Sequence, residues 1–180
     1  MTLTVRRAQP TDAAGLGELA AATFPLACPP GSAPEAIAEY IAGNLTAQSF
    51  DRYLDDINRV ILLAEDAGNL IGYMMLIGGD PTDADVAAAV MLRPTIELGK
   101  AYALPGVHGR GVAAALMAAT LDAARERGAA GIWLGVNQLN ARALRFYEKS
   151  GFAIVGEKKF SLGPEVHNDF VMERTLAGQS

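Results

Sequence analysis

The chain has 180 residues, of which 51% are hydrophobic and 19% charged, a balance that argues against disorder and gives enough length for a core without metal or disulfide staples. Its 15 Lys+Arg against 20 Asp+Glu leave a net charge of −5, which speaks against a nucleic-acid or anionic-membrane partner and leaves room for a cationic substrate. The single cysteine, Cys28, excludes an internal disulfide framework and fits a reducing cytoplasm.

At the N-terminus Arg6 and Arg7 are followed by Asp12 and Glu18 before any sufficient apolar run, so no secretory signal is expected. Residues 3–8 alternate as a strand, and Pro10, Thr11 and Asp12 then open a helix over 12–27, which Pro29, Pro30 and Gly31 end. Ile37, Tyr40, Ile41 and Leu45 keep helical spacing, as do Phe50, Tyr53, Leu54 and Ile57. This helical part carries Glu35, Glu39, Asp51, Asp55 and Asp56. The most apolar stretch, 60–79, is interrupted by Glu65, Asp66 and Asn69, so it reads as a hairpin of strands 59–65 and 70–77 and not as a membrane span. Residues 79–85 have loop composition, and 95–104 form a long strand. An Ala-rich helix over 109–127 stops at Gly128. A short strand (132–136), a helix (140–149) ended by Gly151, and strands 152–160 and 169–176 complete the order.

The strand, helix and strand over 95–136 make a βαβ unit, which crosses over right-handedly and pairs in parallel. Hairpins on either side supply antiparallel neighbours. The expected architecture is therefore α/β (α+β): one domain over 1–180 with a single mixed, mainly antiparallel sheet and helices on both faces.

Three segments carry chemistry. In the first, His108-Gly109-Arg110-Gly111-Val112-Ala113-Ala114, a strand gives way to a helix. Its glycines let a ligand approach the backbone, and the free N–H groups of the helix start favour an anion, most simply a phosphate. The spacing Gly109-x-Gly111-x-x-Ala114 also matches a dinucleotide fingerprint. That reading fits badly, because Pro105, Gly106, Val107 and His108 separate the strand from the first glycine, and the next strand ends in Asn137 instead of Asp or Glu. A plain tight turn into a helix gives the same pattern. In the second segment, strict alternation puts Ile96, Leu98, Lys100, Tyr102 and Leu104 on one face and Glu97, Gly99, Ala101 and Ala103 on the other. The second face would be a trough with a carboxylate at its end, though a bulge would swap the faces beyond it, and Glu97 equally suits an ion-paired strand carboxylate. In the third, Asn140 and Tyr147 lie two turns apart on one helix face, where a phenol beside a ligand can donate a proton; capping and packing are the plainer roles for the two residues.

Together these segments resemble the GNAT superfamily of acetyl-CoA-dependent N-acetyltransferases: the strand with Glu97, the Gln/Arg-x-x-Gly-x-Gly/Ala loop as His108 to Ala113, and the helix from Asn140-Ala141 through Tyr147 to Gly151-Phe152. The opening Val5-Arg6-Arg7-Ala8 with Pro10, Thr11 and Asp12 is similar too, whereas 24–56 match weakly. The resemblance implies a GNAT-type acyl-CoA N-acyltransferase fold and acetyl-CoA as cosubstrate, with no metal. It places the pyrophosphate on the amides of Gly109, Arg110, Gly111, Val112, Ala113 and Ala114, the pantetheine arm along Ala101, Tyr102 and Ala103, and Asn140 at the cofactor. His108 stands where the family usually has Gln or Arg. Glu97 falls where some members keep a general base, and Tyr147 where the thiolate-protonating tyrosine stands.

Residues 132–137 with 160–163 and 169–172 are similar to bacterial spermidine/spermine N-acetyltransferases, which implies a polyamine or other small cationic amine as acceptor. The helical carboxylates suit a polycation, although a solvated helix face also accounts for them. A protein N-terminal or lysine acetyltransferase is the nearest alternative, and a non-catalytic acyl-CoA-binding regulatory domain comes from a different class. Exposed strand edges leave room for a homodimer. Cys28 reads as a packing residue, and His167 as structural or exposed.

Overall fold

The computed structural model describes residues 2–107 and 109–176. Strand β1 (Leu3–Arg7) leads through a short turn over Pro10–Asp12 into α1 (Ala13–Ala27), followed by α2 (Pro34–Asn44) and α3 (Ala47–Asp55). The helical spacing breaks at Leu45 and Thr46, because the Thr46 hydroxyl accepts from the Ser49 N–H and caps a new helix. Strands β2 (Arg59–Asp66) and β3 (Asn69–Gly78) form the expected hairpin, whose two-residue turn holds Ala67 and Gly68 at φ of 50° and 88°. A short helix α4 (Ala84–Ala89), which composition had given no reason to expect, is capped by Asp83. Then come β4 (Thr95–Ala103), α5 (Val112–Glu126), β5 (Gly131–Asn137), α6 (Ala141–Lys149), β6 (Ala153–Leu162) and β7 (Glu165–Thr175). No helix among the described residues is long and apolar enough to cross a membrane.

The strands form one sheet in the order β1-β2-β3-β4-β5-β7-β6, antiparallel throughout except between β4 and β5. One face buries Leu62, Met74, Leu76, Leu98, Ile132 and Leu134 against α5, through Leu116, Met117 and Leu121, and against α6, through Leu144 and Phe146, with Phe152 just beyond that helix. The other buries Ile61, Leu63, Tyr73 and Met75 against α1 to α3, through Leu16, Leu19, Phe24 and Phe50. Leu116 is 1% exposed, so Leu116→Ala should cost about 2–5 kcal/mol of stability in denaturant titration, the cost of an unfilled core cavity.

Two irregularities of β4 shape everything that follows. Its register with β3 shifts so that Met75 faces Lys100 while Leu76 faces Leu98, which makes Gly99 the extra residue of a bulge. Strict alternation therefore fails. Glu97, Lys100 and Tyr102 pair with Ile77, Met75 and Tyr73 and share their face, whereas Leu98, Ala101 and Ala103 pair with Leu76, Met74 and Gly72 on the opposite one. The expected trough of Glu97 with Ala101 and Ala103 does not exist. A Cβ at Gly99 would lie 2.6 Å from Ile77 Cδ1, so a larger residue there would push the Ile77 side chain aside. The second irregularity is that β4 pairs with β5 only over Thr95 to Glu97, although both strands run on. Past Glu97 they diverge, and the open edge of β4 keeps backbone groups with no strand beside them.

Candidate active site

The cleft between β4 and β5 opens into two cavities. One, of about 450 Å³, is lined by Ala101, Tyr102, Ala103, Gly109, Ala113 and Tyr147 among others, and the second, of about 410 Å³, by Glu97, Lys100, Tyr102, Tyr147, Lys158 and Asp169 among others. Ala101, Tyr102, Asn140, Ala143 and Tyr147 line both, so the cavities meet there.

The loop at the mouth of the first cavity is built by glycine. Gly109 and Gly111 hold φ of 83° and 77°, in the left-handed region that side chains disfavour. Gly111 is the residue before α5, and the first turn closes with the Ala115 N–H donating to the Gly111 carbonyl at 3.0 Å. The amides of Val112, Ala113 and Ala114 therefore have no partner within the helix and form, with the helix dipole, an anion-accepting end. Arg110 is exposed on this loop. His108 lies outside the described residues.

The second cavity is charged. Burial pushes the Glu97 carboxyl above its ordinary value, and Lys158, Lys100 and Arg59 pull it partly back. Burial, with Arg59 adding to it, lowers Lys100 to about 8, while Glu97 opposes the shift. Lys158 stands 3.6 Å from Asp169, whose carboxyl is raised by desolvation against the pull of that lysine. Gly135 leaves room beside this pair: a Cβ there would lie 3.1 Å from Lys158 Cδ and 3.4 Å from Asp169 Oδ2. Between the cavities, burial alone pushes the Tyr147 phenol up to about 12, and its ring packs on Phe146 and Phe152 at 5.5 and 5.9 Å.

The structure thus brings Glu97, Tyr147, Ala101, Tyr102, Ala103, Asn140 and the loop from Gly109 around one cleft. Asn140 caps α6, its Oδ1 accepting from the Ala143 N–H at 3.1 Å, which leaves its NH2 group for a ligand. Cys28 lines the second cavity, with Sγ 3.3 Å from the Phe24 carbonyl. His167 is half-buried beside Glu165. Sequence reasoning missed Lys100, Lys158 and Asp169 as site residues: strict alternation put Lys100 on the wrong face, and no spacing signal links the other two across β6 and β7.

The sequence profile of the Acetyltransferase (GNAT) family matches residues 21–152. The chain belongs to this family. A Mycobacterium tuberculosis protein named as an uncharacterized N-acetyltransferase is 50% identical over 92% of this chain and 99% of its own length, and a Mycobacterium bovis protein of the same description matches equally. Among solved structures, the PaiA N-acetyltransferase of Thermoplasma acidophilum in complex with coenzyme A superposes with a TM-score of 0.76 at 19% identity, covering 97% of this chain and 99% of that one. A Salmonella typhimurium structure described with "its cofactor Acetyl-CoA" gives 0.65 at 19% identity, covering 100% and 97%. The sheet, its single parallel pair and its flanking helices are thus those of a GNAT acetyltransferase, as the motifs implied. The profile match ends at Phe152, so the β6–β7 hairpin with Lys158 and Asp169 lies beyond it.

Proposed function

We propose that this GNAT enzyme moves the acetyl group of acetyl-CoA to a primary amine by direct attack, with the cofactor in the first cavity and the acceptor in the second. The observation that carries this reading is the position of Tyr147, which lines both cavities where they meet. Acetyl-CoA supplies the activated thioester. The amides of Gly111 to Ala114 hold its pyrophosphate, and the open edge of β4 at Ala101 to Ala103 receives the pantetheine arm as an added strand would be received. An amine with a pKa near about 10 must lose a proton before it attacks, and Glu97, half-buried in the acceptor cavity, accepts that proton directly or through water. Backbone N–H groups near Ala103 stabilise the negative charge that builds on the thioester oxygen, and Tyr147 donates its hydroxyl hydrogen to the departing sulfur.

The loop gives a test that leaves the chemistry untouched. Gly111→Val forces a β-branched residue into the left-handed region at the helix start, so KM for acetyl-CoA should rise about tenfold or more while kcat at saturation changes little. An unchanged KM contradicts the assignment of the pyrophosphate to this loop. The helical carboxylates that suited a polycation do not line the acceptor cavity, and the solvated helix face accounts for most of them: Glu35, Glu39, Asp51 and Asp55 are exposed, and Asp56 pairs with Arg59 at 3.1 Å.

A further inference from the structure

Given the reading of the second cavity as the acceptor site, on which this inference rests, we propose that the acceptor is a small zwitterion: a primary amine carrying a carboxylate a few bonds away. Glu97 takes its ammonium, and Lys100 takes its carboxylate.

The charge inventory of the cavity carries this. Its lining holds two carboxylates, Glu97 and Asp169, and two ammonium groups, Lys100 and Lys158. Lys158 and Asp169 neutralise one another across 3.6 Å, with side chains only 17% and 10% exposed. Glu97 and Lys100 are left. Among the described residues neither makes a hydrogen bond or salt bridge; Lys100 Nζ lies 5.8 Å from the Tyr53 ring centroid, a ring that the Arg59 guanidinium also covers at 4.6 Å. A half-buried carboxylate and a half-buried ammonium with no hydrogen bond or salt bridge are only partly compensated by that ring and by their mutual attraction, and a ligand that pairs with both completes them. A zwitterion does so and adds no net charge. A polycation would instead set several positive charges against Lys100, with Arg59 near it and one uncommitted carboxylate to receive them. Phe24, Tyr40, Ile77 and Phe160 supply apolar wall for the rest of the molecule. Because Lys158 and Asp169 sit beyond the span that the family profile matches, the shared catalytic segments do not account for them.

The test is calorimetric titration of the CoA-saturated protein with matched pairs that differ by one carboxylate: lysine and cadaverine, ornithine and putrescine, phenylalanine and phenethylamine, with spermidine alongside. One charge-assisted contact predicts that the carboxylate-bearing member of at least one pair binds about tenfold tighter or more. In Lys100→Met, which keeps the stem and removes a charge that burial already disfavours, that ratio should fall below about threefold, with the carboxylate-bearing member losing affinity. The inference is overturned if spermidine or the amine-only members bind as tightly or tighter in every pair, or if no acceptor binds. Thiol release is read in parallel. A carboxylate preference in binding without any release upholds the acceptor class and refutes acetyl transfer, so the two failures are told apart.

Discussion

Replacing Tyr147 with phenylalanine should lower kcat by about 10²-fold or more and leave KM for acetyl-CoA within about twofold, as expected when a donor acts only in the transition state. The phenol is pushed up to about 12 by desolvation, so it stays protonated across neutral pH and acts only as a donor. A thiol titrates near about 8.5, below this phenol, so the hydroxyl hydrogen is best shared with the sulfur while negative charge develops there and not surrendered beforehand. Phenylalanine keeps the ring that packs on Phe146 and Phe152, and the fold should survive the change. Steady-state kinetics on folded protein checks this. A fall of less than about threefold contradicts the role.

Glu97→Gln should lower kcat/KM by about 10²-fold and remove the acid limb of its pH profile. The carboxyl is raised by burial, so the base form, and with it wild-type activity, appears at higher pH than an ordinary glutamate would give. Lys158 and Lys100 oppose that shift, so Lys100→Met should move the limb to still higher pH. Stability should change in the opposite sense to activity. A carboxyl whose folded pKa lies above its unfolded value contributes stability that is present below the unfolded value and lost as pH rises through the folded one. At neutral pH the ionised Glu97 is therefore a burden on the fold, and Glu97→Gln should raise Tm there. Below pH of about 4, where the wild-type carboxyl is protonated in both states, calorimetry should show the difference vanish. A pH profile that keeps its acid limb in Glu97→Gln contradicts the base role.

Much of this site could be read before the fold was known, because its parts are local. Gly109 and Gly111 announce a left-handed turn into a helix, Asn140 caps the helix that carries Tyr147, and Asp66 to Asn69 mark the β2–β3 turn. What stayed hidden depends on register and on contacts between distant strands. Nothing in residues 95–104 marks Gly99 as a bulge more than as a plain small residue, yet that single extra residue moves Lys100 to the side of Glu97 and takes Ala101 and Ala103 away from it. Lys158 and Asp169 meet because Lys158 on β6 pairs with Asp169 on β7, and because Gly135 on β5 leaves space beside them. Helix α4 escaped because its Ala-rich turn is short and its cap, Asp83, sits in a segment of loop composition. The acidic helices suggested a cationic acceptor through their net charge, but four of their five carboxylates face solvent and the fifth is paired. Net charge thus describes the outside of the molecule, and the sign of each ligand site is set locally, by oriented amides in the first cavity and by side-chain charges in the second.

The central claim, that acetyl-CoA and an amine meet at Tyr147, is tested most directly by following thiol release from acetyl-CoA against a panel of amino acids, polyamines, aminoglycosides and N-terminal peptides. The account predicts release that requires an acceptor, favours a small carboxylate-bearing amine and collapses in Tyr147→Phe. Saturable acetyl-CoA binding with no release on any acceptor would contradict it and leave a binding module in place of the transferase.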